Sequence, residues 1–174
     1  MCKELIFEVA SQVRLRKEPF GGVAFHRGNG NLLELDREGF EVLLLIEQRG
    51  RAEFRALRHE VRRRFGRAVP APALADFLKS LQKLGIIRSI GGFPRRNINS
   101  SADGIFHMSG EEGSHPLSAP ITVHWAITHD CNLCCSMCYA RRSRRLHEMS
   151  RGEKLAALEK LAQWGVLEIA IGGG

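Results

Sequence analysis

Four of the chain's five cysteines, Cys131, Cys134, Cys135 and Cys138, fall within eight residues, and no other feature restricts the fold as strongly. A disulfide framework spreads its cysteines so that distant loops are cross-linked, whereas a tight cluster brings thiolates to one place. Within Cys131-Asn132-Leu133-Cys134-Cys135-Ser136-Met137-Cys138-Tyr139 two three-ligand sets are available: Cys131, Cys135 and Cys138, or the same set with Cys134 in place of Cys135. Structural zinc draws on two short pairs separated by a dozen or more residues, and neighbouring thiolates serve one small ion poorly. The spacing therefore points to an iron–sulfur cluster, where each thiolate holds a different iron. A zinc knuckle or buried free thiols are the alternative. With three protein ligands a four-iron cluster keeps one iron open, which is what catalysis at a metal requires.

The flanking segments place this loop in a parallel sheet. Residues 121–128 read as a strand with Ile121, Val123, Trp125 and Ile127 on one side. Ser150-Arg151-Gly152-Glu153 forms a capping box. The helix that it opens carries Leu155, Leu158, Leu161 and Ala162 and stops at Gly165. Residues 166–171 are an apolar strand leading into Gly172-Gly173-Gly174. Strand, loop, helix, strand and glycine-rich turn make one βαβ unit. One such unit cannot bury both faces of its strands, so a larger α/β domain is expected around it.

Ahead of it the composition is different. Half of the thirty residues 91–120 are Gly, Pro, Ser or Asn, which reads as a linker. Residues 12–17, 22–26 and 32–35 alternate as three strands, with a turn at Gly28-Asn29-Gly30. Asp36 stands where a helix N-cap belongs, opening a first helix to about residue 48. A second helix is expected over 52–65 and a third from Pro72 to Gly85, with a return strand at 86–90. Residues 1–90 thus read as an α+β, winged-helix-like domain, followed by the linker at 91–120 and an α/β fragment at 121–174. Up to Arg96 there are 19 Lys and Arg against 11 Asp and Glu, whereas from Asn97 onward there are 7 against 8, so the chain's net charge of +7 belongs to the front domain. That domain is expected to meet an acidic partner. The longest apolar run, residues 42–46, is far short of the ~20 residues of a membrane span. Residues 1–10 lack a secretory signal, so a cytoplasmic protein without a membrane partner is expected.

The segment from Trp125 to Tyr139 resembles the cluster motif of radical S-adenosylmethionine (SAM) enzymes, most closely the branch that modifies peptides. The resemblance implies a partial (β/α)6 barrel whose first βαβ unit is residues 121–174. It implies a 4Fe–4S cluster on Cys131, Cys135 and Cys138, with SAM on the open iron. Gly172, Gly173 and Gly174, about 34 residues after the last cysteine, match the family's glycine-glycine-glutamate motif without its Glu. They are expected to contact SAM together with Met137 and Tyr139, although Met137 stands where an aromatic or His is common. The implied chemistry is reductive cleavage of SAM to a 5′-deoxyadenosyl radical, with flavodoxin or ferredoxin as electron donor. The later barrel strands that the resemblance requires are missing, so the chain reads as a truncated fragment without turnover.

The pattern from Arg14 to Arg88, about 75 residues, is similar to the PqqD-like leader-recognition element of ribosomal-peptide maturases. That similarity implies a precursor leader added as a strand to the sheet edge. Its expected contacts are the edge Val23, Ala24, Phe25 and His26, with Lys79 and Lys83 on the third helix. The rival is an iron–sulfur regulator that binds DNA through a winged helix. Its arginines (Arg58, Arg62, Arg63, Arg64 and Arg67) lie on or after the second helix rather than the third, so nucleic acid is not the expected partner.

Overall fold

The computed structural model of the protein describes residues 5–66, 69–91, 108–109, 115–133, 135–138 and 148–173. They belong to two compact units, residues 1–116 and 117–174.

The first unit opens with β1 (Ile6–Val9), followed by an antiparallel meander of β2 (Val13–Glu18), β3 (Gly21–His26) and β4 (Asn31–Asp36). Asp36 then caps α1 (Arg37–Arg49): its Oδ1 accepts from the Gly39 amide at 2.7 Å, satisfying a donor that the helix itself leaves unpaired. The short β5 (Ala52–Glu53) leads into α2 (Phe54–Phe65), and α3 (Ala71–Lys83) is followed by β6 (Ile87–Ile90). α1 sits directly on the meander because Gly22 has no side chain: a Cβ there would lie 2.2 Å from the ring of Phe40, which is itself buried. The core gathers the inner faces of all three helices, with Leu43, Ile46, Leu57, Leu74, Leu78 and Leu81 fully buried beside Phe7, Ile86 and Ile87.

Three features differ from the sequence expectation. Residues 6–9 form a strand, because β1 pairs with β6 along its whole length (Ile6↔Ile90 to Val9↔Ile87) and with β5 on its other side. Residues 108–109, read as part of a linker, form β7 (Met108–Ser109), which pairs with β4 at Glu34↔Ser109 and Leu35↔Met108. The resulting strand order, β2-β3-β4-β7, puts β3 inside the sheet. Val23, Ala24, Phe25 and His26 are therefore not an edge. β3 is the middle strand of a meander, so both of its backbone sides are taken by its chain neighbours.

The second unit pairs β8 (Thr122–Ala126) with β9 (Glu168–Gly172) in parallel, with α4 (Arg151–Gln163) between them in the chain. The capping box is formed in both directions: Glu153 N donates to Ser150 Oγ at 3.3 Å and Ser150 N to Glu153 Oε2 at 2.7 Å. No residue of α4 is buried, and Leu155, Trp164 and Ile171 are exposed. Among the described residues no helix is long and apolar enough to cross a membrane.

The uneven distribution of core makes a direct prediction. In urea denaturation Leu78→Ala is expected to cost about 2–5 kcal/mol. Leu155→Ala, at a side chain that is 51% exposed, should stay within about 0.5 kcal/mol. Equal losses would contradict the core described above.

Candidate functional site

The C-terminal ends of β8 and β9 are locked together by a glycine. Gly173 follows β9 with φ +116°, and a Cβ there would lie 2.4 Å from the Thr128 carbonyl oxygen, so only glycine allows the two strand ends this close. Ile127 N donates to Gly172 O at 3.0 Å across the same junction. The segment that leaves β8 here leads within a few residues to Cys131, so the cysteine loop and the glycine turn start from adjacent points at one edge of a parallel pair.

A carboxylate fixes the start of the loop. Glu148, just before α4, accepts from the Thr128 hydroxyl at 2.8 Å and from the His129 amide through the same Oε1. Asp130 N donates to Thr128 Oγ1 at 3.1 Å, and Lys154 Nζ lies 3.7 Å from Glu148 Oε2. The His129 amide, then the Thr128 hydroxyl and the Lys154 ammonium, hold the Glu148 carboxyl below the usual carboxylate range, against the opposing effect of burial. Sequence reasoning missed this residue, since nothing local links Glu148 to a turn twenty positions earlier. His129 is half-buried, and its Nδ1 has no hydrogen-bond partner among the described residues. His124 is exposed on β8.

Cys131 and Cys138 are half-buried and Cys135 is exposed, all three as free thiols. Cys138 N donates to Cys135 O at 3.3 Å, closing a turn, and Leu133 N points at Cys131 Sγ at 3.4 Å. Three sulfur donors without a carboxylate or imidazole are a soft set, and in donor chemistry they fit an iron–sulfur cluster. They share one loop, yet among the described residues no three His, Cys, Asp or Glu side chains converge as a metal-binding group. The side chain of Met137 is 93% exposed. Tyr139, Gly174 and Cys134 lie outside the described residues, as does Arg67 of the DNA alternative.

In the first unit the expected peptide contacts are dispersed. Val23, Ala24 and Phe25 are buried within the sheet. His26 is half-buried, and its Nδ1 accepts from the Gly28 amide at 3.1 Å. On α3, Lys79 is 3.3 Å from Asp76, and Lys83 is exposed. The arginines of α2 are partly neutralised within the unit. Arg63 pairs with Glu60, Arg64 pairs with Glu41 and lies 3.9 Å from Glu60, and Arg49 lies 3.8 Å from Glu60.

No protein-family profile matches the chain. Over 69 residues it is 36% identical to the sporulation killing factor maturation protein SkfB of Bacillus subtilis (strain 168), a stretch covering 39% of this chain and 16% of that protein. The structure of Streptococcus suis SuiB bound to precursor peptide SuiA matches with a TM-score of 0.50 at 16% identity, over 97% of this chain and 36% of that one. SuiB bound to S-adenosylmethionine matches at 0.48 and 17%, over 97% and 36%. The chain thus spans roughly a third of the SuiB chain and a smaller share of SkfB. Over the matched part its mixed α/β fold is like that of SuiB, and the stretch shared with the maturation protein SkfB supports the resemblance to peptide maturases.

Glu148 carries a pH prediction. Its folded pKa is depressed, so its stabilisation is present above the ordinary glutamate value of about 4.3 and is lost as pH falls through the lower folded value. Wild type should therefore lose more thermal stability between pH 6 and about pH 3 than Glu148→Gln, whose amide oxygen can still accept but carries no titrating charge. Parallel curves for the two proteins would show that Glu148 does not hold the loop.

Proposed function

We propose that this chain carries the cluster-binding and peptide-recognition parts of a radical SAM enzyme that modifies a ribosomally made precursor peptide. The observation that carries the reading is the junction of β8 and β9. Ligand sites of parallel α/β folds lie at the C-terminal ends of the strands, and here the cysteine loop and the glycine turn leave adjacent strand ends pinned by Gly173 and Glu148.

In this reading Cys131, Cys135 and Cys138 hold a 4Fe–4S cluster, and Gly172 and Gly173 offer exposed backbone to SAM, with Gly174, Met137 and Tyr139 as further contacts. When bound, the cluster and SAM supply a carbon radical by reductive cleavage of the sulfonium, with the electron coming from a flavodoxin- or ferredoxin-type donor. The chain's own residues orient. Glu148 holds the His129 amide and the Thr128 hydroxyl, so the loop leaves β8 in one direction. Gly173 keeps the SAM-facing turn against β8.

The first unit would take the leader as an added strand. With β3 enclosed, the acceptor moves outward to β4, which already accepts β7 at Glu34 and Leu35. Of the two lysines on α3, Lys83 is exposed and suits an acidic leader, whereas Lys79 is already beside Asp76. Nucleic-acid binding by α2 is the weaker reading, because Arg63 and Arg64 are engaged by Glu60 and Glu41.

Anaerobic reconstitution with iron and sulfide tests the ligand set. Cys131→Ala, Cys135→Ala and Cys138→Ala are each expected to reduce bound iron and sulfide at least tenfold, whereas Cys134→Ala keeps them. If Cys134→Ala loses the cluster and Cys135→Ala does not, the assignment of ligands is wrong. Stoichiometric zinc in place of iron would end the radical reading altogether.

A further inference from the structure

A cavity of about 500 Å³ lies in the first unit, where the end of β3, the end of α3 and the start of β6 come together. Neither the cluster nor the added strand uses it. Its volume is within the range of small-ligand sites, roughly 300–1,000 Å³. Buried Ala10 and Ile87 give it an apolar side, and its polar lining comes from His26, Gln82, Arg88 and Ser89. None of the residues that line it is an Asp or a Glu.

Two of these polar side chains have donors to spare. Arg88 stands opposite Glu8 in the pairing of β6 with β1, a position that favours a cross-strand ion pair. The Glu8 carboxylate instead lies 3.5 Å from Arg51 Nε, and Arg88 has no carboxylate partner among the described residues. His26 Nδ1 accepts from the Gly28 amide, so the ring hydrogen sits on Nε2. That edge of the ring faces the cavity at Gly85, where a Cβ would lie 3.7 Å from both Cδ2 and Nε2. Carbonyls in the last turn of α3, which would repel an anion, are already occupied: Ser80 O by Leu84 N at 3.1 Å, Leu81 O by Ile86 N at 2.9 Å and Gln82 O by Gly85 N at 3.0 Å. A guanidinium, an imidazole N–H, an amide and a hydroxyl beside an apolar side, with no acid among them, match a carboxylate on a short apolar stem. We propose that this cavity is a carboxylate-binding site with Arg88 as its charged anchor. An acidic residue of a peptide and a free organic acid both carry that group. The site belongs to the first unit alone and stands whether or not the cysteine loop holds a cluster.

NMR titration of the ¹⁵N-labelled full chain tests the proposal with two probes, the blocked peptide acetyl-Ala-Glu-Ala-amide and free glutarate. The amide signals of Arg88 and Ser89 should shift saturably with at least one of them. Tighter binding of the peptide identifies an acidic peptide residue as the source, and tighter binding of glutarate a free acid; either result supports the site. The neutral analogue of the better probe, acetyl-Ala-Gln-Ala-amide or glutaramide, should bind at least tenfold more weakly. Arg88→Gln should weaken the better probe about tenfold. Gln82→Ala, at an exposed helix position, should weaken it a few-fold and decides the matter if the strand variant does not fold. Arg55→Gln removes an exposed arginine of α2 that does not line the cavity, and should leave binding unchanged. Equal affinity for the better probe and its neutral analogue overturns the proposal. So does unchanged affinity in Arg88→Gln, an equal loss in Arg55→Gln, or the absence of a saturable shift with either probe.

Discussion

The close approach of Gly173 to the Thr128 backbone is the contact on which the second unit depends. Replacing the glycine hydrogen by a methyl group would put carbon 2.4 Å from a carbonyl oxygen, a distance that only a shift of one strand end relieves. Because β8 and β9 are parallel, their C-terminal ends lie side by side, and whatever leaves them is presented to the same region. The cysteine loop leaves one end and the glycine turn leaves the other. Glu148 adds direction, since its carboxylate takes the Thr128 hydroxyl and the His129 amide at the point where the chain departs from the sheet.

The two units are built on different balances. The first closes a core among helices α1, α2 and α3 and strands β1 and β6, with six fully buried leucines and isoleucines from the helices alone. The second holds together by a ladder and a capping box, and leaves Leu155, Trp164 and Ile171 exposed. Parallel sheets ordinarily have both faces covered, and α4 with no buried residue covers little. In the proposed reading the cluster falls on the unit with the smaller core and peptide recognition on the unit with the larger one.

Much of this was legible in the sequence wherever the signal is local. Asp36, Ser150 with Glu153, and the glycines ending the helices mark element boundaries by hydrogen-bonding needs within a few residues, and each of these caps is present. What failed was long-range. β1 reads as a mixed apolar and acidic stretch, and its strand identity comes from β6, some eighty residues later. β7 lies in a Gly- and Ser-rich segment whose pairing with β4 leaves no local mark. The position of β3 did leave one: Gly-Gly-Val-Ala-Phe is an unbroken run of small and apolar residues, all five buried, as in a strand covered on both faces rather than at an edge. Glu148 was illegible because its partners are backbone and hydroxyl groups brought near only by the fold.

The central claim is that three thiolates leave one iron open to SAM beside the Gly173 turn. Electron paramagnetic resonance of the reduced, reconstituted chain, recorded with and without SAM, tests it most directly. The expected result is a 4Fe–4S signal that shifts when SAM is added, with Gly173→Ala weakening the shift while the cluster content holds. A signal that SAM leaves unchanged in wild type would contradict the claim, because the fourth iron would then be closed to the ligand that the site is meant to hold.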